Sequence, residues 1–198
     1  MIYLQKKYAS RLVFIFISFF IFSCKKKETT TLEYSNNSNT FFSLDSFAND
    51  EIIRHLKEKT QIEKTINLNG NQEKHRIGLE KIGWKKELQP LFKNDINKVA
   101  WKDKFIEQRM DNSNGDYSII YSTMAKEINV KKLQIDFNTQ NQIELITINI
   151  DSKNLLFNAK QLYTYSPKLG YHLKSDQKAL FLSQNTLVVN GNFINTKP

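Results

Sequence analysis

Cys24 is the only thiol in the chain, and it directly follows a small residue, Ser23. A lone thiol has no disulfide partner within its own chain, so its chemistry is nucleophilic or it is a point of covalent modification. The histidines are His55, His75 and His172. No two of them stand four apart as in a helical metal pair, so no metal site and no cofactor are expected. His55 and His75 lie among lysines and glutamates and read as solvated, while His172, between Tyr171 and Leu173, reads as a sheet residue. There is no Gly-x-Ser-x-Gly elbow, and six glycines build no phosphate loop. Asp136, Glu144 and Asp151 fall on neighbouring expected strands. Two carboxylates on one sheet face make a hydrolase pair, but the solvent side of a half-buried sheet carries charge in any case. No enzyme is expected.

The suggestive set is aromatic: Trp84, Trp101, Tyr117, Tyr121, Tyr163, Tyr165 and Tyr171. On a concave sheet such rings would line a groove for a lipid, a glycan or a peptide. The other use is to fill a helix–sheet core. Trp84, Trp101, Tyr163, Tyr165 and Tyr171 are the groove candidates.

Only one stretch of the chain carries an address. Lys6, Lys7 and Arg11 precede an apolar run, Leu12–Phe22, broken only by Ser18, and no acidic residue occurs before Glu28. Basic flank, short apolar run and small residue make up a secretory signal peptide. The run has 11 residues, against about 20 needed to cross a bilayer's hydrocarbon core. Ile21-Phe22-Ser23-Cys24 resembles the lipobox of bacterial lipoproteins. That resemblance implies a diacylglyceryl group on the Cys24 sulfur, cleavage between Ser23 and Cys24, and acylation of the new amino terminus. It also implies, with Lys25 rather than Asp after the cysteine, an outer-membrane address. Each buried acyl methylene contributes about 0.8 kcal/mol, so two or three chains hold a protein on a membrane. Lys25-Lys26-Lys27 add attraction to anionic headgroups, about 1 kcal/mol per charge.

The formal net charge is +9. Cleavage before Cys24 removes Lys6, Lys7 and Arg11 and leaves +6, spread without a basic stripe. Nucleic-acid binding therefore has no support. Stability must come from packing, and the mature chain is long enough for one domain with a proper core.

The domain organisation expected is a signal peptide over 1–23, a flexible tether over 24–43 ending near Phe41, and a single domain over 44–198. Its first part, 44–110, reads as helical. Asn49 or Asp50 caps a helix holding Ile52, Ile53 and Leu56, which Asn69-Gly70-Asn71 stops or bends. A second helix runs from about Gln72 to Phe92, with Ile77 inward and Trp84, Leu88 and Phe92 along one face, and Pro90 ends or kinks it. Asp95 or Asn97 caps a third, reaching Met110 and stacking Trp101 on Phe105. After the turn at Asp111–Asp116 the period falls to two. Strands are expected at 117–123, around Leu133–Phe137, at Ile146–Ile150, from Leu155 to Tyr165, and at 171–174, 179–182 and 187–193. Loops this short demand antiparallel pairing. The fold class expected is α+β: N-terminal helices packed on one face of a curved antiparallel meander over 117–194.

Lys86-Glu87-Leu88, Asp95–Lys98 and Gly170–Leu173 are together similar to segments of uncharacterised envelope lipoproteins, a resemblance that implies no activity. Three functions compete. The leading one is a non-catalytic envelope lipoprotein, held on the membrane through Cys24, that binds an envelope protein partner or supports an assembly. A second is a carrier of a hydrophobic ligand, which needs a dry cavity of about 300 Å³ under the helices. A third is a hydrolase of envelope polymers, which needs converging ionisable groups.

Overall fold

A computed structural model describes residues 41–78, 81–180 and 183–194. The expected signal segment with Ser23 and Cys24, and the tether up to residue 40, lie outside the described residues. In chain order the elements are α1 (Leu44–Glu58), β1 (Gln61–Leu68), β2 (Asn71–Ile77), α2 (Trp84–Glu87), α3 (Gln89–Lys93), a 3₁₀ turn (Val99–Trp101), β3 (Ile106–Asp111), β4 (Tyr117–Ser122), β5 (Val130–Phe137), β6 (Ile143–Lys153), β7 (Phe157–Ser166), β8 (Gly170–Ala179) and β9 (Asn185–Ile194). The described residues are mainly β with some helix. Nine strands form one open antiparallel sheet in the order β2-β1-β9-β8-β7-β6-β5-β4-β3. Strands β3 to β9 are a meander, and the β1–β2 hairpin is added at its far side through β9.

Strand alternation divides the sheet into two faces. One face carries Tyr121, Leu133, Ile135, Ile146, Ile148, Tyr163 and Tyr165, all buried. Leu44 and Ala48 of α1, Leu88, Leu91 of α3 and Ile96 close over them in one apolar cluster. Each such side chain, fully buried, contributes about 1.5–3 kcal/mol.

The helical reading of 44–110 survives only in part. The Asn69-Gly70 pair, expected to stop or bend a helix, is a hairpin turn between β1 and β2, with φ of +52° and +93°. Two left-handed residues in succession match the twist of a two-residue hairpin, for which Asn-Gly is a preferred pair. The expected second helix is broken into β2, α2 and α3, and the third is replaced by the 3₁₀ turn and strand β3. Trp101 and Phe105 still touch, with ring centroids 6.3 Å apart, but not as helix neighbours. The start of α1 also differs. Ser43, not Asn49 or Asp50, is its N-cap, accepting from the Ser46 amide. Asp95 caps no helix of its own: its Oδ2 accepts from the Asp45 amide at 2.8 Å, at the positive end of α1. Phe41 and Phe42, placed by the sequence in the tether, pack on the core, and the Phe42 amide donates to the Tyr121 hydroxyl. The strand expected at 171–174 runs on as β8 to Ala179, because Gln177 and Ala179 keep pairing with β7; residues 181 and 182 of the strand expected at 179–182 lie outside the described residues.

Register sets Tyr171 opposite Gly191, and Gly191 opposite Lys64 of β1. A Cβ on Gly191 would sit 2.3 Å from the Tyr171 ring. Glycine here leaves the space that lets the ring lie across β9 toward β1. Gly191→Ala is therefore expected to destabilise the protein by about 1–3 kcal/mol, the usual cost of overpacking. Urea titration checks this, and an unchanged midpoint would contradict it.

Candidate functional site

The buried stripe of α1 is Leu44, Ala48, Glu51 and His55. The spacing puts all four on one helix face. This corrects the expected amphipathicity in part: Ile52 packs against the core, but Ile53 and Leu56 are 65% and 62% exposed, while Glu51 and His55 are 6% and 1% exposed. His55, read as solvated, is thus a core residue.

What makes an acid and an imidazole tolerable in the core is a complete set of partners. The Tyr165 hydroxyl of β7 donates to Glu51 Oε2. Arg54 forks onto both Glu51 oxygens at 2.8 and 2.7 Å, reaches Glu58 at 2.7 Å and donates to the Pro167 carbonyl at 2.8 Å. His55 Nε2 lies 3.0 Å from the Tyr165 oxygen, and Nδ1 lies 3.2 Å from Thr60 Oγ1. Because the single tyrosine proton goes to Glu51, the imidazole proton belongs on Nε2 and Thr60 donates to Nδ1. The imidazole ring stacks on Trp84 at 4.1 Å and meets the edge of Phe193 at 4.4 Å. Burial, with the Arg54 guanidinium beside it, pushes the His55 pKa down to about 4. Burial and then the Glu51 charge push the Tyr165 hydroxyl upward, so it stays protonated as a donor. The hydrogen bond to Glu51 raises the Arg54 pKa, so its charge is permanent.

A second acid repeats the device. Glu87 of α2 accepts from the Tyr171 hydroxyl and from Lys64 at 2.9 Å. Two residues before Tyr165 on β7 lies Tyr163, whose hydroxyl is buried and has no hydrogen-bond partner among the described residues.

Glu51 and Arg54 also form the floor of an open groove of about 620 Å³. Its walls include Phe47, Glu58, Gln142 and Lys168. In it this buried cluster meets side chains of the β5–β6 and β7–β8 turns, Asn141, Gln142 and Lys168. Neither Tyr165 nor His55 lines it.

The aromatic candidates fall mostly inside. Trp84, Tyr163, Tyr165 and Tyr171 are buried in the core, and Trp101 packs against it half-exposed. None of them lines a described groove. The rings are consumed by helix–sheet packing, where they surround Phe193, a residue the sequence reading passed over. His172 lies on the opposite sheet face and meets Asn190 at 2.6 Å, not a carboxylate. Asp136 accepts from Ser118 and Gln134. Glu144 and Asp151 are seven residues apart on β6, roughly 23 Å at about 3.3 Å per residue, so they form no hydrolase pair. Among the described residues no three of His, Cys, Asp and Glu come together as a metal set, and no helix is long and apolar enough to cross a membrane.

Glu51 and His55 were detectable as polar residues four apart on a helix, in phase with Leu44 and Ala48. Their partner on β7 was not, because Tyr165 is 110 residues away from His55. No protein-family model, curated protein or solved structure matches the chain.

Tyr165→Phe removes the donor to a buried carboxylate and is expected to cost about 2 kcal/mol. Tyr163→Phe deletes an unpaired hydroxyl and is expected to leave stability unchanged or raise it by up to about 1 kcal/mol. Equal losses in denaturant titrations of the two variants would contradict this. A pH series reads His55 directly. Its folded pKa lies below the unfolded value, so between about pH 6.5 and 4 the unfolded chain binds more protons and stability falls on acidification. The expected loss from pH 8 to pH 5 is about 2 kcal/mol, and His55→Gln should flatten that slope.

Proposed function

We propose that this protein is a cell-envelope lipoprotein, anchored through a diacylglyceryl-modified Cys24, whose sheet domain is a non-catalytic binding or scaffolding module. The fold is read as α+β, with α1 to α3 as a layer on one face of the sheet. The non-catalytic part of the reading is supported by one observation: the ionisable groups of the buried α1–β7 cluster are saturated by one another. Glu51, Arg54, His55 and Tyr165 each spend their donors and acceptors on fastening α1 to β7, and His55 is stacked on Trp84 with Phe193 meeting it edge-on. A general base needs a lone pair free toward a substrate and a pKa near the working pH; a His55 pKa of about 4 and an occupied ring serve packing instead.

Recognition is then a matter of surface. The helix side of the sheet is filled by Leu44, Leu88, Leu91 and Ile96, which supports binding at exposed faces and grooves over carriage of an apolar ligand in the interior. The outer face offers a broad polar surface that includes Gln134, Thr147, Thr164, His172 and Asn190.

The anchor is tested by Cys24→Ser. The wild-type chain is expected to lose residues 1–23, gain the mass of its acyl groups and partition into detergent. The variant is expected to keep residues 1–23 and gain no acyl mass. Identical intact masses, apart from the Cys-to-Ser change itself, would overturn the reading.

A further inference from the structure

Antiparallel register sorts every turn to one of two ends of the sheet. One end holds the start of β3, the β4–β5 loop, the β6–β7 turn, the β8–β9 connection and the β1–β2 turn. The large apolar residues Leu68, Ile106, Met124, Leu155, Leu156 and Leu180 are exposed there, six of the twelve such residues among those described. Met124 and Leu155 are 95% and 90% exposed. Nothing in the fold needs these side chains outside. Asn154 alone shapes the β6–β7 turn, its Oδ1 accepting from the Leu156 and Phe157 amides. Strands β6 to β8 also run past the level at which β4 and β5 end, so Leu155, Leu156 and Leu180 project farthest.

The charge at this end is mixed with a basic excess, Glu107 beside Ile106 being among its acids. Lys102, Lys104, Lys126, Lys153 and Lys178 are exposed around it, against Asp103 and Glu127, and Glu127 is paired with Lys104 at 3.9 Å. The opposite end is built from Asn112–Asp116, Asn138–Gln142 and Pro167–Leu169, which hold Asp116 and Lys168 and little apolar surface beyond Leu169. The first described residue lies at the apolar, basic end: Phe41 packs on Phe105, just before β3, and on Tyr121, near the end of β4, at 5.9 and 5.3 Å. The 17 residues from Cys24 to Phe41 span at most about 60 Å.

We propose that this end of the sheet is a second membrane contact, with Leu155, Leu156 and Leu180 entering the interface of an anionic lipid surface and Lys153 and Lys178 facing its headgroups. Exposed apolar tips ringed by lysine bind such surfaces through both buried area and charge, each lysine adding about 1 kcal/mol near the membrane. The inference rests on the lipoprotein reading for its geometry: a chain held at Cys24 enters the domain from the side that touches lipid. The domain would therefore stand on the membrane with its Asn-rich turns outward, and the outer sheet face would be presented sideways to a partner.

The test uses the full chain, expressed in its envelope, purified and reconstituted into vesicles of phosphatidylglycerol and phosphatidylethanolamine containing brominated lipid. Leu155→Cys, Leu169→Cys and Leu56→Cys are each labelled with an environment-sensitive fluorophore; Cys24 gives no competing label when its sulfur is acylated. Quenching at position 155 is expected to exceed that at 169 and 56 at least threefold. The double change Lys153→Glu and Lys178→Glu should lower it at least twofold in anionic vesicles and leave it unchanged in neutral ones. Equal quenching at the three positions, or a spectral shift at 155 without quenching by the lipid, overturns the proposal, the latter assigning this end to a protein neighbour. Intact mass separates the two readings. A chain that intact mass shows unacylated, its 155 probe then read on a Cys24→Ser background and quenched, keeps the contact and removes the anchor; an acylated chain whose 155 probe is unquenched does the reverse.

Discussion

The hydrogen bond from the Tyr165 hydroxyl to Glu51 joins the first helix to the middle of the sheet, and much else follows from it. Glu51 holds Arg54 by two parallel contacts, and Arg54 in turn holds the carbonyl of Pro167 at the β7–β8 turn. His55, one helical turn on, is positioned by Tyr165 and Thr60 and becomes the plate on which Trp84 stacks. A buried acid of this kind costs several kcal/mol of desolvation, which only a full complement of partners offsets. The chain supplies those partners both locally, from Arg54 three residues on, and from Tyr165, 114 positions away. The consequence is a helix whose orientation on the sheet is specified by polar contacts in an otherwise apolar layer.

The second constraint lies across the β8–β9–β1 junction. Tyr171 reaches over Gly191 to Glu87, and Lys64 of β1 meets the same acid. One carboxylate thus ties α2 to β8 and to β1. Two tyrosine–glutamate pairs, side by side in the sheet, pin the helical layer at two points. Tyr163, next to them on the same face of β7, contributes only its ring, and its hydroxyl has no hydrogen-bond partner among the described residues.

Much of the meander was legible. From Tyr117 onward the alternation of apolar and polar residues, and turn residues such as Asn114-Gly115 and Pro167, mark strands and their antiparallel pairing, because a period of two leaves no other assignment for short linked segments. Residues 61–77 were not read correctly. Ile62, Ile66 and Ile77 are sparse among charged residues, and β2 is exposed along nearly its whole length, so no buried face imposes a pattern. Asn69-Gly70 carried the hairpin signal and was outweighed by the helical look of its neighbours. The core role of His55 was hidden for a different reason: a charged or polar residue on the inward face of a helix reads as solvated until its partner is known.

The sequence by itself determined the basic-flanked apolar run before Cys24, the strand-rich second half and the antiparallel connection of its strands, since each depends only on local order and spacing. Tertiary structure decided that the rings of Trp84, Tyr163, Tyr165 and Tyr171 are core and not groove, that α1 turns Glu51 and His55 inward and leaves Ile53 and Leu56 outside, and that β1 closes on β9. Those outcomes depend on contacts between residues far apart in the chain, where the energy of pairing a buried acid with a distant hydroxyl outweighs any preference written in the neighbouring residues.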